Sequence, residues 1–149
     1  MKPSILASVI LLIASIACTD HYSAVGEFHT LSSEAFAYTD TIGFTLSNLD
    51  SIPGKNLYVA VVHSDKYPYC NLWLEVTYED SLRKVCDTVA LTMADQYGKW
   101  QGHALGSTFQ IEAIACPEIN PTGDSRVSVR HIMRTDTLHG IDRIGILAK

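Results

Sequence analysis

The sequence predicts an all-β fold: an antiparallel β-sandwich, jelly-roll or immunoglobulin-like, of seven to eight strands, with an N-terminal signal peptide. Three observations lead there. From Ala35 onward, short runs rich in β-branched and aromatic residues are separated by turn signals. Several runs alternate apolar and polar side chains with a period of two, as half-buried strands do. No window of useful length carries the 3.6-residue period of an amphipathic helix.

Thr41 to Asn48 is the first clear strand, and Asp50-Ser51-Ile52-Pro53-Gly54 closes it with turn chemistry. Leu57 to Ser64 is apolar at odd and even positions alike, which marks a central strand covered on both faces. Asn71 to Glu79 alternates cleanly. Leu72, Leu74, Val76 and Tyr78 share one face, and Asn71, Trp73, Glu75 and Thr77 share the other. Val85 to Thr92 puts Val85, Val89 and Leu91 on one face with Asp87 among them. Thr108 to Ala115, Arg126 to Met133 and Ile141 to Ala148 complete the set. Between them, Met93 to Gly106 reads as a long ordered loop folded over the sheet. Its glycines 98, 102 and 106 discourage a helix, and Trp100 is its anchor.

Ahead of the strands stands a leader. One lysine, Lys2, precedes an unbroken small and apolar run from Ile5 to Ala17, and Cys18 follows. This is the form of a secretory signal peptide, and a cysteine directly after a small residue resembles a bacterial lipobox. Ser15 departs from that motif, where leucine is usual. The competing readings are a plain signal peptide with an unmodified cysteine, and a transmembrane helix, for which the run is short. The chain divides accordingly into residues 1–17 as lipoprotein signal peptide, 18–33 as lipidated tether and 34–149 as the sandwich domain. The lipidation site is Cys18. Each buried methylene contributes about 0.8 kcal/mol, so a triacylated terminus stays in the membrane without spanning it.

Cleavage would leave 149 − 17 = 132 residues, enough for one domain with a sizeable core. The formal charge of −5 argues against nucleic acid, which needs clustered cations, and against docking on anionic lipid. With Cys18 acylated, Cys70, Cys86 and Cys116 remain. The hairpin register sets Cys86 opposite Glu75 to Thr77, far from Cys70, so these read as free, partly buried thiols. A single Cys70–Cys86 or Cys86–Cys116 bridge is the lesser alternative in an oxidising compartment.

Chemistry is hard to find. The histidines at 21, 29, 63, 103, 131 and 139 do not pair at ligand spacing, so no metal site and no cofactor is expected. Nucleophile elbow, phosphate loop and CxxC are absent from the sequence. Asp87 beside Thr88 reads better as a hydrogen-bonding hub than as a catalytic acid, and the expectation is that the protein is not an enzyme. The other candidate is aromatic: Tyr67, Tyr69, Trp73, Tyr97 and Trp100. Because Trp73 falls on the polar face of its strand, the Tyr97–Trp100 loop is expected to pack over it, in preference to an open sugar-binding platform.

Several segments resemble one family. Tyr67-Pro68-Tyr69-Cys70-Asn71-Leu72-Trp73 is similar to the YPYSNLW segment of the GldH gliding-motility lipoproteins of Bacteroidota. Asp87-Thr88-Val89, then Ala94-Asp95, Gly98-Lys99-Trp100, Gly102 and Leu105-Gly106, resemble that family's DTV and LAD..GKW.G.GLG block. Met133-Arg134 and Leu138-His139-Gly140-Ile141 resemble its MR…LPGI block. Cys70 stands for the usual serine, His139 for a proline, Arg143 for an aspartate and Phe36 for a tryptophan. The resemblance implies a lipoprotein of the cell envelope, facing the periplasm and associated with the gliding and type IX secretion machinery. It supplies no catalytic residue. The expected function is therefore an accessory component acting by protein–protein contact. Tyr67, Tyr69, Asn71, Trp73, Tyr97, Lys99 and Trp100 are the partner-binding candidates, and other machinery proteins and the membrane anchor are the partners. The alternative is a carbohydrate-binding lipoprotein of a glycan-uptake system.

Overall fold

The computed structural model describes residues 25–47 and 54–149; the leader, Cys18 and the Asp50–Pro53 turn lie outside them. The described residues form eleven strands: β1 (Val25–Thr30), β2 (Ala35–Ala37), β3 (Ile42–Thr45), β4 (Lys55–Ser64), β5 (Asn71–Glu79), β6 (Lys84–Thr92), β7 (His103–Leu105), β8 (Thr108–Ile119), β9 (Arg126–His131), β10 (Thr137–His139) and β11 (Ile141–Ala148). Two main sheets have the orders β1-β11-β4-β8-β7 and β3-β9-β5-β6, and β10-β2 is a small third pair. Every recorded pairing is antiparallel. The chain passes from β4 in the first sheet to β5 and β6 in the second, back to β8, across to β9 and back to β11. That is the sandwich predicted.

The seven strands read from the sequence are β3, β4, β5, β6, β8, β9 and β11, and β5 and β11 have the predicted bounds. The four others are short or at edges. β1 corrects the tether: the folded domain begins by Val25, inside the segment assigned to residues 18–33, because β1 pairs along β11 from Val25↔Ala148 to Thr30↔Arg143. Gly145 allows this docking. A Cβ there would lie 2.5 Å from the Phe28 ring, so the ring rests on the bare backbone, with the Arg143 guanidinium 5.7 Å from its centroid. An edge strand covering one neighbour needs little alternation, which is why period-two reading passes over it.

The core lies between the sheets. Leu57, Val59 and Val61 of β4 and Ile144 and Ile146 of β11 are buried in one cluster with Leu72, Leu74, Val76 and Tyr78 of β5 and Val127 and Val129 of β9. Each such aliphatic side chain contributes about 1.5–3 kcal/mol by leaving water. β4 is central, between β11 and β8, and its even positions Ala60 and Val62 are also fully buried. Asp80 sets the β5–β6 turn. Its carboxylate accepts the N–H of Leu82 and of Arg83, both at 2.8 Å, and the Tyr78 hydroxyl at 2.8 Å.

That hairpin places Cys86 opposite Thr77, while Cys70 precedes β5. The three described cysteines are free. Cys70 and Cys86 are exposed, not partly buried as expected, because Cys86 falls on the outer face of its sheet; Cys116 alone is buried, and burial pushes its thiol pKa up. The 93–106 stretch is more regular than a loop. It holds a tight turn closed by an Ala94↔Trp100 bridge, then β7, which pairs with β8.

Strands β1, β4, β6 and β9 run one way and β5, β8 and β11 the other. The sandwich thus has a lower end, with the start of β1, the β5–β6 turn and Lys149, and an upper end, with the segments after β4 and β6.

Candidate functional site

At the upper end, four separate segments meet around His63. β4 closes in a turn where the Tyr67 N–H donates to the Ser64 carbonyl, 3.2 Å. The Ser64 N–H donates to the carbonyl of Gly140, and the Gly140 N–H to that of Glu34, both at 2.9 Å. Gly140 has φ +83°, and a Cβ there would stand 2.5 Å from the Tyr67 nitrogen. No other residue lets these two backbones approach so closely.

The Tyr67 ring is buried and its hydroxyl donates to the Asn71 carbonyl at 2.9 Å; burial raises its pKa. His63 is fully buried. Its Nδ1 lies 3.0 Å from the Ser64 carbonyl, and its Nε2 has no partner among the described residues. Its ring meets Trp100 edge-on at 4.8 Å, stacks on Phe109 at 5.6 Å and lies 5.9 Å from Tyr67. Burial holds this imidazole below its ordinary pKa.

The 93–102 segment locks onto the same end. The Cys70 carbonyl accepts the N–H of Met93 at 2.8 Å and of Ala94 at 3.1 Å. The Asp95 carboxylate accepts the N–H of Tyr97 and Lys99, which shapes the turn. The Gln101 N–H returns to the Met93 carbonyl at 2.8 Å. A Cβ on Gly102 would lie 2.1 Å from the Gln110 oxygen, another contact of bare backbone.

The partner-binding candidates therefore separate. Tyr67 is core, and Trp100 is half-buried against His63 and Phe109. Tyr69, Asn71, Trp73, Tyr97 and Lys99 are exposed, with Trp73 at 42% and Tyr97 at 85%. The expected cover of Trp73 by Trp100 does not form, because the Ala94↔Trp100 bridge turns the indole toward β4 and β8. Trp73 stands on the outer face of β5, opposite Ala90 of β6, with its carbonyl accepting the Ile132 N–H at 3.0 Å. One step along that face, Arg130 grips Glu75 through two hydrogen bonds of 2.7 and 3.0 Å, which lowers the Glu75 pKa.

Sequence reasoning missed His63 as the hub. Its one signal was a histidine in an otherwise apolar strand. It also missed Tyr38, an exposed ring that meets the fully buried His131 edge-on at 5.6 Å. Asp87 is exposed, and its carboxylate accepts the N–H of Thr88 at 2.7 Å on the edge strand β6. Among the described residues no three His, Cys, Asp or Glu side chains converge to hold a metal ion, and no helix is long and apolar enough to cross a membrane.

A family model described as GldH lipoprotein matches residues 23–147. A curated protein described as a gliding motility lipoprotein GldH homolog, from Christiangramia forsetii, is 24% identical over 137 residues, covering 85% of this chain and 79% of that protein. Among solved structures, an Eiger TNF from S. frugiperda aligns over 85% of this chain and 92% of its own, at 7% identity and a TM-score of 0.35.

Proposed function

Because the chain belongs to the GldH lipoprotein family, we propose that it is a lipid-anchored accessory component of the gliding-motility and type IX secretion apparatus, acting by protein–protein contact and without catalysis. The anchor is Cys18, acylated after removal of residues 1–17, with the domain on the periplasmic side. The observation that carries the contact reading is the convergence of the family-like segments. Tyr67, Trp100, Gly102 and Gly140 are accounted for by packing at the upper end. Tyr69, Asn71, Trp73, Tyr97 and Lys99 are left exposed; Tyr69 also meets the buried Tyr67 ring edge-on at 5.7 Å, while Trp73 and Tyr97 turn large rings to solvent. Exposed aromatics held on a rigid frame are the usual anchors of protein interfaces.

The two indoles do not stand side by side: Trp100 faces His63 and Phe109 while Trp73 lies on the outer sheet face. The protein-contact reading is therefore preferred to a sugar platform built on both. Trp73→Ala, Tyr97→Asp and Lys99→Glu variants, expressed in the native host, should fold and stay in the membrane fraction. They should lose co-purification with secretion-machine proteins after crosslinking. Variants that fold and still assemble normally would move the contact surface elsewhere. Polysaccharide binding that depends on Trp73 would replace the reading.

A further inference from the structure

The two ends of the sandwich differ in their distance from the proposed anchor and in their charge. β1 starts at the lower end, where Val25 pairs with Ala148, itself opposite Leu57. From Cys18 to Val25 is 25 − 18 = 7 residues, a contour of at most about 25 Å at full extension. From Leu57 to Ser64, β4 climbs 64 − 57 = 7 residues, about 23 Å, and the turns bearing Tyr69 and Tyr97 lie at the end of that climb. Among the described residues the lower end carries Lys55, Arg83, Lys84, Arg126 and Lys149, balanced by Glu79, Asp80, Glu118, Asp124 and the Glu112 carboxylate that Lys149 binds. The upper end carries Glu34, Asp40, Asp65, Asp95 and Asp136 against Lys66, Lys99 and Arg134. The acidic excess thus sits at the upper end.

We infer that the domain stands on its lower end, with the exposed rim of Tyr69, Trp73 and Tyr97 turned away from the bilayer, so that the rim's occupant is a water-soluble surface of an envelope protein. The inference rests on the contact reading above and on acylation of Cys18. The competing occupant is the bilayer itself, since tyrosine and tryptophan favour membrane interfaces. For Trp73, on the outer face of β5, to reach the headgroups the domain would have to lie on that sheet, and for Tyr97 to enter them end-on it would have to invert. The seven-residue connection would then run taut along nearly the whole height of the sandwich. The acidic upper end would also meet the negative potential of an anionic leaflet.

Energy transfer to a labelled membrane tests this. Full-length protein purified from the membrane fraction is added in detergent to preformed phosphatidylcholine–phosphatidylglycerol vesicles carrying a headgroup-linked acceptor. One sample bears a donor on the native, exposed Cys70 in a Cys86→Ser variant. Another bears it at the lower end, on a Leu82→Cys, Cys70→Ser, Cys86→Ser variant; Leu82 is 92% exposed. Cys116 is buried and stays unlabelled. The Leu82 site should transfer more strongly, with donor-to-plane distances differing by about 25–30 Å, the length of the nine-residue β5. Tryptophan emission should not be quenched by brominated acyl chains. Equal transfer from both sites, stronger transfer from Cys70, quenching by brominated lipid, or recovery of the protein as an unanchored soluble chain would each overturn the inference. No partner takes part, so the measurement can fail while co-purification succeeds, and the reverse.

Discussion

His63 and His131 are fully buried, and three of their four ring nitrogens lack partners among the described residues. Desolvation is the first cause that lowers both pKa values; the Ser64 backbone works against it at His63, and the Phe36 backbone and then the Asp40 carboxylate do so at His131. A histidine with a depressed folded-state pKa takes its proton first in the unfolded chain. Stability should therefore fall as pH drops below about 6.5, at up to about 1.4 kcal/mol per pH unit for each histidine. Glu75 and Asp80, whose pKa values are also lowered, add a loss in the same direction below the ordinary carboxylate range. Melting followed from pH 7.5 to 5 should show the slope, and His131→Phe should flatten it. A melt indifferent to pH across that range would mean that the imidazoles open to water or find partners. The tryptophans make a second contrast. Trp100→Ala should cost about 2–4 kcal/mol, since the ring packs on His63 and Phe109. Trp73→Ala should cost under about 1 kcal/mol, since its ring is exposed. Urea titration of both variants checks the ranking, and the reverse order would mean that Trp73 is the packed ring.

At the level of the strand and turn, three glycines of positive φ separate steric from torsional cost. Gly98→Ala, with nothing within 4 Å, should lose only the left-handed backbone preference, about 1–2 kcal/mol. Gly102→Ala and Gly140→Ala must also displace backbone, at the Gln110 carbonyl and at Tyr67, and should destabilise substantially more. Equal melting points for the three would refute the close approaches. In the β5–β6 hairpin, Cys70 and Cys86 are seven positions apart along β5, a separation of more than 20 Å. Native-state alkylation should label both and spare Cys116, and non-reducing peptide mapping should recover no Cys70–Cys86 link. This register was legible in the sequence because Leu72 to Tyr78 alternates without a break and only one turn fits. β1, β2, β7 and β10 were not legible. They are three to six residues long, and their pairing depends on contacts such as Phe28 on Gly145 that no local period encodes.

Across the whole molecule, the fold joins segments that lie far apart in the chain, around 63–71, 93–102 and 139–141, into one end of the sandwich. Which residues matter was visible in the sequence as family-like blocks, but their division of labour was not. Tyr67 and Tyr69 are two residues apart, yet one is core and the other is surface, because a turn, not a strand, carries them. Trp73 and Trp100 likewise read as one cluster until the Ala94↔Trp100 bridge fixes the direction of the second indole. The exposed upper rim is the surface proposed to meet the partner. Site-specific photocrosslinking in living cells of the native host tests it most directly, with the crosslinker placed in turn at Tyr69, Trp73, Tyr97 and, at the opposite end, Leu82. The three upper positions should crosslink to the same secretion-machine protein, and Leu82 should give no crosslink. A crosslink to that protein from Leu82, with the upper positions silent, would contradict it.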